Sequence, residues 1–276
     1  MSRYNAISPV FPDSNYTGLM IRKLLASLLL TFLLPGALPA LASDSPLVAV
    51  ASGMQFAIRE IADSFQQDTG IELRITLGAS GKLFRQIENN APFELFIAAD
   101  DSLVQKLEQM QRTRAPRVII ARGRLAVFAV RGSPWQADAE LRGLASALDA
   151  NQVTKFAIAN PAHAPYGQRA REALQSAGLW AQVKDRLVIG ENVAQATQFA
   201  ISGAAQGGII APSLLMSDKT SNRGEYALLP EAWHQPILHS MVLLENSDET
   251  TMKFFHYLQS AKAQQILSRN GFTPVL

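Results

Sequence analysis

Two short segments of the chain, VAVASGM at residues 48–54 and TLGASGK at residues 76–82, each lead an apolar run into a Ser-Gly turn. This pattern predicts a buried strand that passes directly into a helix. Glycine lets the backbone approach a ligand closely, and the first turn of a helix offers unpaired N–H groups and a positive dipole end. Because each turn adds a serine hydroxyl, two such turns facing one cavity suit a small dianion.

Both turns also have a plainer interpretation. Serine is a favoured N-cap residue and glycine is a common turn residue, so either turn alone is more often a helix cap than a ligand site. The presence of two such turns favours the ligand site. Nucleotide phosphate fits poorly, because residues 78–82 lack the upstream glycine and the Ser or Thr after the lysine that a P-loop requires.

The N-terminal region has the parts of a secretory signal peptide. Two basic residues closely follow Met20, an apolar run occupies residues 24–34, and small residues precede the position after Ala42 where a signal peptidase would cut. We therefore expect residues 1–42 to be a signal peptide, cleaved after Ala42, and the mature protein to be periplasmic. Residues 1–19 fit either a long basic region or a start assigned upstream of the true one at Met20.

The charge balance gives no reason to expect a nucleic-acid partner. The chain has 25 Lys and Arg and 23 Asp and Glu; three of the basic and one of the acidic residues lie in residues 1–42, so 22 of each remain after cleavage. No basic cluster with interleaved aromatic residues is present. The chain contains no cysteine, so we expect core packing rather than disulfides to hold the fold, and no lipid anchor on cysteine.

After residue 43, short apolar strands alternate with amphipathic helices, which predicts mostly parallel sheets covered by helices. The predicted strands are residues 47–51, 71–77, 93–99, 118–121, 124–131, 156–159, 186–189, 207–211, 226–229 and 237–244. The predicted helices lie near residues 54–65, 83–87, 102–110, 167–177, 193–202, 249–259 and 262–269.

The extended pair at residues 118–131 predicts a crossover from one α/β unit into a second. We therefore predict two lobes, with lobe 1 formed by residues 43–124 and 230–276 and lobe 2 by residues 125–229. Ligands of open α/β sheets bind outside the carboxyl ends of the strands, so both serine turns should border a cleft between the lobes.

Further short motifs follow the serine turns in a set order. They are AVAS at residues 49–52, GASG at 78–81, APFELFIAAD at 91–100, ANP at 159–161, PYG at 165–167, ENV at 191–193 and GGII at 207–210. Their order and spacing resemble those of the substrate-binding proteins of molybdate ABC transporters, from about residue 47 to the C-terminus. The resemblance implies a type II periplasmic-binding-protein fold, in which two lobes close on a tetrahedral oxyanion.

The resemblance also implies the ligand residues. Ser52 and Ser80 match two hydroxyl donors of lobe 1, with their backbone N–H groups beside them. Tyr166 and Val193 match positions of lobe 2 that contribute main-chain donors. Molybdenum would bind only as its oxyanion, through these four residues and without a cofactor. The expected partners are molybdate or tungstate and an inner-membrane ABC permease, and the expected state is a monomer.

One position departs from the family pattern. Ala211, followed by Pro212, stands where many members have a tyrosine whose hydroxyl caps the anion. The phenol of Tyr166 is a candidate replacement donor. Gly53 stands where members often have a larger residue, and we expect it to widen the site.

Charged residues near the turns have simpler expected roles. Lys82 and Arg85 should lie on the exposed side of their helix rather than bind the anion. Asp100 and Asp101 should cap the helix that follows them, although paired carboxylates also suit a metal or acid–base chemistry.

The sequence favours a binding protein over an enzyme. Ser52 has no Gly-x-Ser-x-Gly context, and the histidines stand at no metal-site spacing. The histidines are His163, His234, His239 and His256. The alternatives left open are a binding protein or sensor for another small oxyanion, such as sulfate, for an organic anion, or for ferric iron.

Overall fold

The structure, a computed structural model, describes residues 45–216 and 222–275. The predicted signal peptide lies outside the described residues. Two mixed β-sheets with helices packed on them form one unit of the chain, which confirms the predicted α/β class.

The first ten strands lie close to their predicted positions, and the last, of two residues, was not predicted. The strands are β1 (Leu47–Ala51), β2 (Arg74–Gly78), β3 (Leu95–Ala98), β4 (Val118–Gly123), β5 (Ala126–Val130), β6 (Phe156–Ala159), β7 (Leu187–Gly190), β8 (Gly207–Ile210), β9 (Gly224–Leu228), β10 (Ile237–Leu243) and β11 (Thr273–Pro274).

The α-helices connect these strands and cover the sheets. They are α1 (Gln55–Thr69), α2 (Ser80–Glu88), α3 (Asp101–Gln109), α4 (Arg142–Asp149), α5 (Pro165–Ser176), α6 (Trp180–Val183), α7 (Val193–Ile201), α8 (Glu249–Tyr257) and α9 (Ala261–Arg269). Short 3-10 turns occur at Ser52–Met54, Lys184–Arg186, Pro212–Leu214 and Glu231–Trp233.

The two sheets share one strand arrangement. The first has the order β11-β4-β10-β3-β1-β2 and the second has the order β7-β6-β8-β5-β9. In the first sheet β1 pairs in parallel with β2 and β3, and β10 is antiparallel to both β3 and β4. In the second, β6 pairs in parallel with β7 and β8, and β5 is antiparallel to β8 and β9. Most strands of each sheet therefore point one way; the strand that enters from the other lobe runs against them, as does β11 in the first sheet.

The chain passes from the first sheet to the second between β4 and β5, and it returns between β9 and β10. The predicted lobe boundaries, after residues 124 and 229, fall within these two connections. Below, lobe 1 and lobe 2 denote the parts built around the first and second sheets.

Strand β1 lies between β3 and the edge strand β2 and is buried on both faces. Val48 and Val50 belong to one apolar cluster, and Ala49 belongs to another on the opposite face. This alternation follows from the two-residue period of a strand, and burial on both faces is typical of parallel strands between helices. The pairing of Ala51 with Gly78 brings the ends of β1 and β2 side by side.

Two helices, α4 and the four-residue α6, were missed in the sequence. Helix α4 follows Leu141, whose backbone is left-handed with a φ of 58°. Asp138 starts it by accepting hydrogen bonds from the backbone N–H of Arg142 at 2.9 Å and of Gly143 at 2.7 Å. The capping residue lies four positions before the helix, where a cap is not expected. The helix has only eight residues, so its apolar pattern is too short to recognise.

Candidate functional site

The two lobes enclose a small pocket next to the ends of β1 and β2. Its volume is about 10 Å³, far below the range of roughly 300–1,000 Å³ that is usual for drug-sized ligands. The lining residues are Ala51, Ser52, Gly53, Gly78, Ser80, Ala99, Ala164, Pro165, Tyr166 and Val193. The structure therefore brings all four predicted ligand residues to one pocket, and none of the described residues that line it is charged.

Each of the four residues stands at the start of a helical segment. Ser52 opens the 3-10 turn that leads into α1, and Ser80 is the first residue of α2. Tyr166 is the second residue of α5, and Val193 is the first residue of α7. First-turn N–H groups lack partners within their own helix and carry the positive end of its dipole. Two helix starts from each lobe thus surround the pocket with hydrogen-bond donors.

The hydroxyl group of Ser80 is held in one hydrogen-bonding role. Its oxygen accepts a hydrogen bond from the backbone N–H of Ala99 at 3.0 Å, and the residue is buried. Because this bond uses an acceptor position of the oxygen, the hydroxyl proton is left for an acceptor in the pocket. The Ser80 hydroxyl is therefore available to donate a hydrogen bond to a ligand in the pocket.

Ser52 is also buried at the pocket wall. Its turn is tied down from lobe 2, since the hydroxyl of Ser213 donates to the carbonyl oxygen of Gly53 at 2.9 Å. Sequence reasoning missed Ser213, because a serine after proline reads as an ordinary turn residue. Ala211, at the start of the same 3-10 turn, is fully buried in the main apolar cluster and does not line the pocket.

The hydroxyl group of Tyr166 does not replace the tyrosine donor that is missing at Ala211. It contacts Gly123 of β4 and lies near His239 of β10, and neither of these residues lines the pocket. The hydroxyl oxygen is buried, and burial raises the pKa of the phenol above its ordinary value. Only the ring and backbone of Tyr166 are placed to form the pocket wall.

Gly53 does not widen the pocket as expected. A Cβ atom at this position would lie 3.0 Å from Cε2 of Tyr166 and 3.4 Å from Cγ1 of Val193. The side chains of lobe 2 therefore occupy the space that a larger residue at position 53 would take.

A set of contacts joins the lobes beside the pocket. The backbone N–H of Gly81 donates to the carbonyl oxygen of His163 at 2.9 Å. Lys82 of α2 forms an ion pair with Glu191, which precedes α7. The Nε2 atom of His163 lies 3.0 Å from a carboxylate oxygen of Glu191. We call Lys82, His163 and Glu191 the latch.

The latch corrects the expectation for Lys82. Its side chain is about half exposed, as predicted, but it pairs with lobe 2 rather than standing free in solvent. The ammonium of Lys82, and to a smaller extent His163, lowers the pKa of Glu191. Arg85, one turn further along α2, is exposed as expected.

The neighbouring aspartates divide two structural roles. Asp100 caps α3 by accepting a hydrogen bond from the backbone N–H of Ser102 at 3.0 Å, as predicted. Asp101 instead accepts hydrogen bonds from Nε of Arg117 at 2.9 Å and from the hydroxyl of Ser240 at 2.6 Å. Neither aspartate lines the pocket.

The described part of the chain holds no group of three or more His, Asp or Glu side chains arranged to bind a metal ion. None of the helices in that part combines the length and the apolar character that crossing a membrane requires.

Two α/β lobes with a small donor-lined pocket between them define a solute-binding protein. The chain belongs to the family described as bacterial extracellular solute-binding protein, whose model matches residues 46–273. The expected class, a binding protein rather than an enzyme, is confirmed by this family membership.

Individual relatives agree with the expected resemblance. The chain is 33% identical over 228 residues to the molybdate-binding protein ModA of Azotobacter vinelandii, covering 82% of this chain and 88% of the relative. It is 30% identical over 239 residues to ModA of Rhodobacter capsulatus, covering 86% and 90%. The solved periplasmic molybdate-binding protein of A. vinelandii superposes with a TM-score of 0.76 at 26% identity, covering 84% of this chain and 100% of that one.

Proposed function

We propose that the protein captures molybdate or tungstate in the pocket between its lobes and delivers it to an ABC permease of the inner membrane. The observation that carries the proposal is the meeting of four helix starts and two serine hydroxyls, those of Ser52 and Ser80, in one pocket without a charged lining. The relatives named as molybdate-binding proteins support the choice of molybdate as the anion.

Neutral donors are sufficient to hold a dianion. Hydrogen bonds to a charged group contribute roughly 1.5–3 kcal/mol each, so a few converging donors offset the loss of hydration. Each helix start adds about 0.3–1 kcal/mol of favourable potential, and more where it is partly buried. The small pocket volume favours an inorganic anion over an organic one.

The donor set also gives selectivity. A protonated oxyanion such as hydrogen phosphate brings an O–H group that needs an acceptor, and the pocket lining has no carboxylate or imidazole to supply one. Since the Ala99 N–H already occupies an acceptor position of Ser80, that hydroxyl is best used as a donor. Selection against sulfate must then come from the size of the pocket.

The mature protein begins after Ala42, works in the periplasm as a monomer, and needs no cofactor. The anion is its cargo and is held through Ser52, Ser80 and the first-turn backbone at Tyr166 and Val193.

Isothermal titration of residues 43–276, stripped of bound anion, tests the proposal. Molybdate, tungstate, sulfate and phosphate should be titrated in parallel. We expect tight binding of molybdate and tungstate and weak or absent binding of the other two. Tight binding of sulfate alone would assign the pocket to sulfate, and no binding of any of the four would overturn the proposal.

A further inference from the structure

Tyr166 connects the pocket to the strands at the crossover between the lobes. Its ring lies over Gly53 at the pocket wall, whereas its hydroxyl reaches Gly123, the last residue of β4. The ring also lies beside His239 of β10, with 6.2 Å between the ring centroids. The Tyr166 side chain, which belongs to lobe 2, therefore packs against β4 and β10, the lobe 1 strands next to the two connections between the lobes.

The contact at Gly123 leaves no room for a side chain. A Cβ atom on Gly123 would lie 2.4 Å from the Tyr166 hydroxyl oxygen, which is closer than real Cβ contacts come. It would also lie 2.9 Å from Cε1 of His239 and 3.1 Å from Cγ2 of Ile237. The hydroxyl therefore fills the notch that glycine leaves in β4, and lobe 2 cannot advance further at this point.

The hydroxyl is buried there without a hydrogen bond. Among the described residues, no group serves as a partner for the Tyr166 hydroxyl or for either ring nitrogen of His239. Burial lowers the pKa of His239 to about 3, so its ring is neutral. A hydroxyl that gives up water and gains no partner opposes the conformation that buries it. A separation of the lobes that exposed this hydroxyl to water would remove that cost.

We propose that the Tyr166 hydroxyl, seated in the notch at Gly123, is a stop that opposes full closure of the lobes, lowers anion affinity and speeds anion release. This inference rests on the proposed function, because it describes how the same pocket closes. Tyr166 acts here as a positioning residue: its ring and backbone form the pocket wall, and its hydroxyl acts on the pocket through the lobe geometry.

The first test is Tyr166→Phe, which keeps the ring and the backbone N–H. We expect molybdate affinity to rise by about tenfold and the release rate, measured by stopped-flow fluorescence, to fall by a similar factor. Tyr226→Phe is the matched control, because Tyr226 is exposed on β9, and its affinity should equal that of the wild type. Unchanged or weaker binding by Tyr166→Phe would overturn the proposal.

The second test is a double-mutant cycle with Gly123→Ala. The added methyl group collides with the hydroxyl, so Gly123→Ala should weaken molybdate binding by at least about tenfold. In the Tyr166→Phe background the same substitution should weaken binding far less, because the colliding oxygen is gone. Equal losses in both backgrounds would mean that the methyl group acts only within lobe 1, on Ile237 and His239, and the stop would be disproved.

A third measurement separates this proposal from the proposed function. Small-angle X-ray scattering of the anion-free proteins should show Tyr166→Phe as more compact than the wild type and Gly123→Ala as more extended. If the wild type binds none of the oxyanions but the scattering differences appear, the stop stands and the molybdate assignment fails. If the wild type binds molybdate and the variants scatter alike, the molybdate assignment stands and the stop is disproved.

Discussion

At the scale of single residues, the two pocket serines differ in whether their side chains also stabilise the protein. The Ser80 hydroxyl accepts a hydrogen bond from the backbone of Ala99 in addition to facing the pocket. The corresponding turn at Ser52 is held by a different residue, since Ser213 binds the carbonyl of Gly53. Loss of the Ser80 side chain therefore affects both the anion and the protein, whereas loss of the Ser52 side chain should affect mainly the anion.

Ser52→Ala and Ser80→Ala should each weaken molybdate binding by roughly 1–3 kcal/mol, because each removes a buried donor. Ser80→Ala should also lower the free energy of unfolding by about 1 kcal/mol, since the Ala99 N–H loses its acceptor. Calorimetry and urea denaturation measure the two effects. Ser102→Ala, at an exposed position of α3, is the control. Full affinity in both pocket variants would contradict the proposed site.

Ser213→Ala tests how the Ser52 turn is held. The variant leaves the buried carbonyl of Gly53 without its partner, so we expect the free energy of unfolding to fall by about 1–3 kcal/mol. Anion affinity should fall as well, because the turn is no longer fixed. Urea denaturation with and without molybdate measures both quantities, and a variant as stable as the wild type would contradict this role.

At the scale of elements, the sequence predicted best those strands whose ends are marked by residues next to them in the chain. Strands β1 and β6 were predicted to the residue, because short apolar runs end there at small polar turns. Strand β2 was predicted from residue 71 but begins at Arg74, since the residues before it pack against the core without joining the sheet. The serine turns were recognisable for the same local reason.

The contacts between elements were not predictable in this way. The bond from Gly81 to His163 and the bond from Ser213 to Gly53 join residues that are far apart in the chain. Nothing in the sequence near Gly81 indicates its partner, because the partner is set by how the lobes meet. The direction of the Tyr166 hydroxyl was not predictable for the same reason, because it also depends on how the lobes meet.

The latch between α2 and the start of α7 should act mainly on release. Lys82 and Glu191 are each nearly half exposed, so their ion pair is worth at most about 1 kcal/mol and is screened by salt. We expect Lys82→Met to speed molybdate release by less than about fivefold at low salt, and the difference to vanish near about 1 M salt. Arg85→Met, on the exposed face of α2, is the control. An effect that is independent of salt would contradict an electrostatic latch.

The latch also predicts a pH dependence. The pKa of Glu191 is lowered in the closed form, first by Lys82 and then by His163. Its contribution to closure is therefore fully present above the ordinary glutamate value of 4.5 and is lost as the pH falls through the lowered value. Release rates of the wild type should rise in that acidic range, while those of Glu191→Gln should lack this step.

At the scale of the whole molecule, the contact between the lobes at Gly81 requires a glycine. A Cβ atom on Gly81 would lie 2.6 Å from the carbonyl oxygen of His163. Gly81→Ala should therefore hold the lobes apart, weaken molybdate binding by at least about tenfold and leave the unfolding midpoint nearly unchanged. Scattering with and without molybdate measures closure. Gln86→Ala, exposed on α2, serves as the control, and a Gly81→Ala protein that still closes would contradict the prediction.

The position of β10 has a consequence for how the protein is made. This strand lies between β3 and β4 in the first sheet, although it comes from residues 237–243, after all the strands of the second sheet. During synthesis, lobe 1 therefore lacks a central strand until almost the whole chain has left the ribosome. A chain that completes its first sheet last remains unfolded for longer, and an unfolded chain is the form that a secretion channel can thread.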